Sequence, residues 1–193
     1  MSVFKDHKIS LKLLLEFIPK ALLNHLSATT KVDYYSKTLH GEKMFYLLLF
    51  CIFDNEKLSQ RTLEDTFNSS GFKTLFGLGE DEKIRRSSIS ERLSKIDPNY
   101  FKEIYEHMYG QFSGFYGQSE IEKYNLIRVD STIVADTCAK LKDGIDQKNG
   151  KKLIKFSFSF DGILPSGVEV FTGQKYSSEE SALPEAILKQ EKK

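Results

Sequence analysis

Asn125-Leu126-Ile127-Arg128-Val129-Asp130-Ser131-Thr132-Ile133-Val134 opens the stretch Tyr124 to Thr172, around which the rest of the chain has to be fitted. Its β-branched content and short length favour a buried strand over a helix, with Asp130 in the middle. After a lysine-rich connection, Leu153-Ile154-Lys155-Phe156-Ser157-Phe158-Ser159-Phe160 alternates apolar with polar. Every second side chain of this second strand can therefore face a core. Turn formers crowd Asp161-Gly162-Ile163-Leu164-Pro165-Ser166-Gly167, and Val168-Glu169-Val170-Phe171-Thr172 then reads as a third strand, antiparallel to the second. Ser177-Ser178-Glu179-Glu180 starts a helix with good capping chemistry. Leu183, Ile187 and Leu188 mark its expected buried side, and Pro184 moves its expected start toward Ala182.

Working outward toward the N-terminus, the chain turns helical. Leu11, Leu14, Leu15, Ile18, Leu22 and Leu26 recur at helical steps, with Pro19 placed to break that helix or begin a second. Ala28 to His40 has no assigned element; Asp33-Tyr34-Tyr35 suits a connection or a short helix equally. From Gly41 to Phe53 the apolar residues are nearly continuous, which predicts a helix buried on most sides at the centre of a bundle. Ser59 can cap a helix through Phe67, stopped by Asn68-Ser69-Ser70-Gly71. Ser88-Ile89-Ser90-Glu91 fits a capping box, and Asp97-Pro98 ends that helix and begins the next. Phe101, Ile104, Tyr105, Met108 and Phe112 form the buried face of this longer helix. Ser113-Gly114 and Gly117-Gln118-Ser119 punctuate its end, dividing an all-helical region, residues 1–118, from a sheet-bearing region, residues 119–193.

The expected class is thus α+β or α/β. A chain of 193 residues with 40% hydrophobic content can bury a real core. Its 28 basic and 27 acidic residues nearly cancel, so any contact with DNA has to come from local patches. Cys51 and Cys138 lack metal-ligand spacing and fit reduced thiols. No cleavable apolar segment follows the charged residues Met1 to Lys8, and the apolar run Met44 to Phe53 is too short for a bilayer. The expectation is a soluble intracellular protein with no membrane partner.

Two basic patches stand out. Lys83, Arg85, Arg86, Arg92 and Lys95 cluster around the expected capping-box helix. Free backbone donors at a helix start can act there with side-chain charge on a phosphate, although a solvated helix face accounts for the same charges. The two helices joined at Asp97-Pro98 also suggest a helix-turn-helix, a pairing that any compact helical domain contains. Lys140, Lys142, Lys148, Lys151, Lys152 and Lys155 spread through the connection ending in Asn149-Gly150, which suits a tight hairpin turn. Such a hairpin puts cations where a polyanion approaches, or serves solubility alone.

Asp130 poses the chemical question. An anionic aspartate in an apolar strand is costly unless it is paired, hydrogen-bonded or bound to a metal. Oxygen ligands of this kind suit Mg²⁺, and phosphoryl-transfer enzymes use two such ions on the attacking and leaving oxygens. The competing reading is a carboxylate at the strand end, solvated or bonded to Arg128 or nearby backbone. His7, His25, His40 and His107 are scattered, and no glycine-rich phosphate loop is present.

Val129-Asp130-Ser131-Thr132, the lysine-rich hairpin, Ile154-Lys155-Phe156, Asp161-Gly162 and the polar exit into a helix closely resemble the start of the catalytic domain in DDE transposases of the insertion-sequence-4 group. Asp33-Tyr34-Tyr35, the apolar Met44 to Phe53 helix and Leu58-Ser59-Gln60-Arg61-Thr62-Leu63 are similar to that family's N-terminal part, in the same order. The resemblance covers nearly the whole chain.

It implies a ribonuclease H-like core of three strands and then a helix, in which Asp130 is the first catalytic and metal-binding acid for Mg²⁺ or Mn²⁺. It also implies a cytoplasmic, prokaryotic, DNA-associated protein whose partner is DNA at transposon terminal repeats, with a homodimer as one assembly open to it. In that family a second aspartate on a later strand and a glutamate on a helix complete the site for DNA strand cleavage and transfer. No later strand follows the Ser177 to Gln190 helix, so the expectation is the front half of a transposase, inactive alone. Asp161 and Glu180 are poor substitutes, since a turn and a helix start already explain them. The alternatives are a noncatalytic DNA-binding or interaction module acting as a truncated regulator, and a nonfunctional remnant. The DNA-contact candidates are Arg85, Arg86, Arg92 and Lys95 on the helix, and Lys140, Lys142, Lys151 and Lys152 on the hairpin.

Overall fold

Pro19 does break the first amphipathic stretch: Leu15 and Glu16 are helical, Pro19 is extended, and helix α1 (Lys20–Thr30) begins after it. In this computed structural model the described residues are 15–54, 58–115, 128–135, 143–148, 150–160 and 164–190. They fall into two compact units, Met1–Met108 and Tyr109–Lys193. The class is mixed: among the described residues there are seven α-helices and one four-stranded antiparallel sheet. Among them no helix is long and apolar enough to cross a membrane.

In the helical unit, α1 ends where the Thr29 and Thr30 hydroxyls donate back to the Leu26 carbonyl and Lys31 turns left-handed. Helix α2 (Gly41–Asp54) follows and carries the near-continuous apolar run because it serves two cores. Met44, Leu47 and Cys51 pack with Leu63, Phe67, Phe72 and Ile89 on one side. Tyr46 packs with Leu23, Leu26, Val32, Tyr100 and Ile104 on the other. Its end is less enclosed than the sequence suggests, with Ile52 and Phe53 exposed. Cys51 is buried and in no disulfide, its Sγ donating to the Thr62 carbonyl at 3.9 Å; Cys138 lies outside the described residues.

Helix α3 (Gln60–Asn68) is capped by Ser59, whose hydroxyl accepts from the Thr62 N–H at 3.1 Å. Ser69 ends it and at once caps α4 (Ser70–Phe76), so the expected stop is a change of direction. Helix α5 (Arg86–Lys95) begins earlier than the capping-box reading places it: Arg85 is its N-cap, without a side-chain cap bond. The Asn68 amide brackets Ile84, taking its N–H and giving to its C=O, and the helix starts two residues on. Ser88 is therefore already inside the helix, and Glu91 bonds Lys95 instead. Asp97 behaves as the sequence reads: it accepts from the Asn99 N–H at 2.9 Å, with Pro98 opening α6 (Pro98–Ser113).

In the sheet unit, β1 (Arg128–Ala135), β3 (Lys152–Phe160) and β4 (Pro165–Phe171) form an antiparallel meander. The lysine-rich connection contributes β2 (Ile145–Asp146), a short strand the alternation did not announce, which pairs with the start of β3. Gly150 closes that hairpin at φ 75, a left-handed conformation that suits glycine; Asn149 lies outside the described residues. Pro165 to Gly167, expected as turn, begin β4. A 3-10 turn (Gln174–Ser177) leads into α7 (Glu179–Gln190), which starts at Glu179 and not near Ala182, with Pro184 inside it.

Helix α7 packs on the sheet through Ala182 and Ala186, both fully buried against Phe171 and Val129. Ile187 and Leu188, expected inside, are exposed. Small side chains win because the sheet face below is low and polar. Ser157, Ser159 and Lys155 are buried on that face, and Lys155 Nζ reaches Glu179 at 3.1 Å. The phase of β3 is thus the reverse of the simple expectation, since its serines and lysine are covered while its phenylalanines face the other way, half-buried.

Candidate functional site

Cross-strand register fixes which residues share Asp130's face, because directly paired residues of an antiparallel ladder project to the same side. Asp130 pairs with Phe158, and Phe158 with Val168; Thr132 pairs with Phe156, and Phe156 with Val170. Val134 pairs with Ile154. This is the face away from α7, and it is open: Val134, Val168 and Val170 are exposed, as is Asp130 itself. The carboxylate therefore stands in a strand, as expected, yet at an apolar surface and in reach of water, which removes the desolvation cost that the sequence raises.

The alternative acids do not join it. Glu179 bonds Lys155 on the opposite face, and α7, which also carries Glu180, packs there. Glu169 also lies on that face, bonded to Lys189 at 2.9 Å; Asp161 lies outside the described residues. Among the described residues no three of His, Cys, Asp and Glu come together as a metal would need. One carboxylate supplies a fraction of the oxygen shell of Mg²⁺ or Mn²⁺ and defines no geometry for two ions. These residues by themselves do not fit a resident ion, and no catalytic step is derived through one.

The basic candidates separate by environment. Arg85, at the start of α5, is exposed, and Arg86 is exposed while pairing with Glu64 at 3.2 Å. Lys95 is exposed and paired with Glu91 at 2.6 Å. Arg92 is different: its side chain is only 10% exposed and its guanidinium donates to the carbonyls of Leu39 at 2.7 Å and Val32 at 2.8 Å. It also meets Asp33 at 3.4 Å. Burial pulls the Arg92 pKa below its ordinary value, and the Asp33 carboxylate works the other way. Arg92 is a pin between α5 and the Lys31 to His40 loop, with its donors turned inward.

On the sheet unit Lys151 is exposed and Lys152 half-buried beside the hairpin turn; Lys140 and Lys142 lie outside the described residues. The hairpin lysine Lys155 is 1% exposed under α7.

Sequence reasoning passed over the Arg92 pin and Tyr100, which is fully buried. The signal for the pin was the lone acid Asp33 in an otherwise uncharged and basic loop. No family model matches this chain, and no curated protein or solved structure matches it significantly.

Proposed function

We propose that this chain is part of the DNA-transposition machinery, its sheet unit being the first portion of a ribonuclease H-like nucleotidyltransferase core of the DDE type. One observation carries this reading: Asp130 is the third residue of the first strand of an antiparallel meander that is followed by a helix, on the face which that helix leaves open. In this reading Asp130 is the first of three acids that hold Mg²⁺ or Mn²⁺ against DNA phosphates at terminal repeats. The second aspartate and the glutamate have no counterpart on the open face among the described residues. The chain by itself is then inactive as a nuclease. A nicking assay with Mg²⁺ or Mn²⁺ tests this: no cleavage is expected, and robust cleavage abolished by Asp130→Ala would overturn the inactivity while upholding the role of Asp130.

A noncatalytic DNA-binding module is the second reading, supported by Arg85 and Arg86, exposed at a helix start that no side chain caps. Binding to duplex terminal-repeat DNA should weaken steeply with salt. Arg85→Ala with Arg86→Ala should lower the affinity and flatten that slope by up to about two ions. Both readings share one partner, DNA, and both admit a homodimer.

A further inference from the structure

We infer that the Lys31 to His40 loop is a stacking site for unpaired bases of single-stranded DNA, with Tyr34 and Tyr35 as its platform. The inference rests on the reading of the helical unit as a DNA contact and adds a second, chemically different contact to it.

Tyr34 and Tyr35 are 72% and 87% exposed; among the described residues Tyr35 is the most exposed large hydrophobic side chain and Tyr34 is exceeded only by it and Phe115. Their rings meet edge to face, with centroids 4.5 Å apart and planes at 81°. Adjacent rings left in water at right angles cannot both shelter by lying flat on each other, so aromatic surface stays available.

The backbone beneath them is held from several directions. The Tyr34 N–H donates to the Lys31 carbonyl and the Ser36 N–H to the Asp33 carbonyl, closing successive turns. Asp33 Oδ1 accepts from the Gly41 N–H at 2.6 Å, and Arg92 grips the Val32 and Leu39 carbonyls. A loop fixed in this way loses little freedom when a ligand lands on it, which favours binding.

Charge selects the ligand. Asp33 is the one acid between Lys31 and His40, and it is engaged by Gly41 and Arg92. Lys31 and Lys37 flank the tyrosines and are exposed. Outward, then, the loop offers two aromatic rings and two cations with no carboxylate between them. A polyanion with flat π-faces meets that description, and in a duplex those faces are hidden in the stack. Single strands bind by this combination of backbone cations and base stacking on aromatic rings.

The chain contains no tryptophan, so Tyr35→Trp introduces a lone reporter at the platform. Using the full chain at low salt, single-stranded and duplex forms of one oligodeoxynucleotide are compared by fluorescence anisotropy, and quenching is read on Tyr35→Trp. The expected results are quenching by the single strand and a loss of single-strand affinity of about tenfold or more in Tyr34→Ala/Tyr35→Ala. Tyr34→Phe/Tyr35→Phe should stay within about twofold, because the ring faces remain. Unchanged single-strand affinity in the alanine pair, or no quenching, overturns the inference. If duplex binding that depends on Arg85 and Arg86 persists in that case, the underlying DNA reading stands alone. Binding of neither form sinks both and leaves the tyrosines to a protein partner.

Discussion

The helical and sheet units handle their apolar residues in opposite ways. The helical unit turns Met44, Leu47, Phe67, Phe72 and Ile89 inward and closes over them. The sheet unit covers serines and a lysine with alanines and leaves valines exposed on the face that carries Asp130. Arg92 of the helical unit and Lys155 of the sheet unit are both covered cations, as is Lys73, whose Nζ donates to the Glu80 carbonyl, and the first two differ in manner again. Arg92 is met by two backbone carbonyls and a carboxylate; Lys155 has Glu179, itself half in water. Among the described residues the helical unit encloses most of its large apolar side chains, whereas the sheet unit leaves Val134, Val168 and Val170 exposed on the face that carries Asp130.

Removing each cation's support breaks this comparison most severely. Arg92→Ala should cost about 3 kcal/mol of stability, because it leaves the Leu39 and Val32 carbonyls without their donor, while Asp33 keeps the Gly41 N–H. Chemical denaturation of the helical unit measures it, and a loss below about 1 kcal/mol would mean the loop is not pinned. In the sheet unit Glu179→Ala should cost about 2 kcal/mol by leaving Lys155 covered and unpaired, discounted because Glu179 is partly solvated. Lys155→Met should be close to neutral or stabilising, since a buried ion pair replaced by an apolar chain often is.

Packing tightness gives the next contrast. A Cβ at Gly41 would sit 2.7 Å from Val32 Cγ1 and 3.1 Å from the Tyr100 ring. Gly41→Ala should therefore destabilise by about 1–2 kcal/mol, whereas Val170→Thr on the open face should stay within about 0.5 kcal/mol. The effect that is smallest at neutral pH is electrostatic. Burial pushes the Tyr100 phenol up to about 12. The folded state thus keeps a proton that the unfolded chain releases near pH 10, so stability falls as pH rises from about 10 toward 12. Tyr100→Phe should flatten that alkaline decline.

Much of the local structure was legible before the fold was seen. Ser59 and Asp97 read as caps, and they are caps, because one hydroxyl or carboxylate decides a helix start locally. The strand around Asp130 and the hairpin partner at Lys152 to Phe160 were legible from β-branching and alternation. What alternation cannot tell is which of its two faces a later helix will cover, and that choice inverted the expected burial of Phe156 and Phe158. Nor does helical spacing reveal that Ala182 and Ala186 will make the contact while Ile187 and Leu188 stay out. The Ser88 capping box failed because Asn68, 16 residues away from Ile84, determines where the chain enters α5. Arg92 looked like its neighbours in a basic cluster; only tertiary packing separates a pin from a surface charge.

Thiol labelling tests the inverted sheet most directly. In a Cys138→Ser background, Val170→Cys and Ser157→Cys place one thiol on each face of the same paired strands. The account predicts modification of the first at close to the rate of a free thiol and strong protection of the second. Rapid labelling at position 157 with protection at position 170 would contradict it, and with it the open face on which Asp130 is proposed to act.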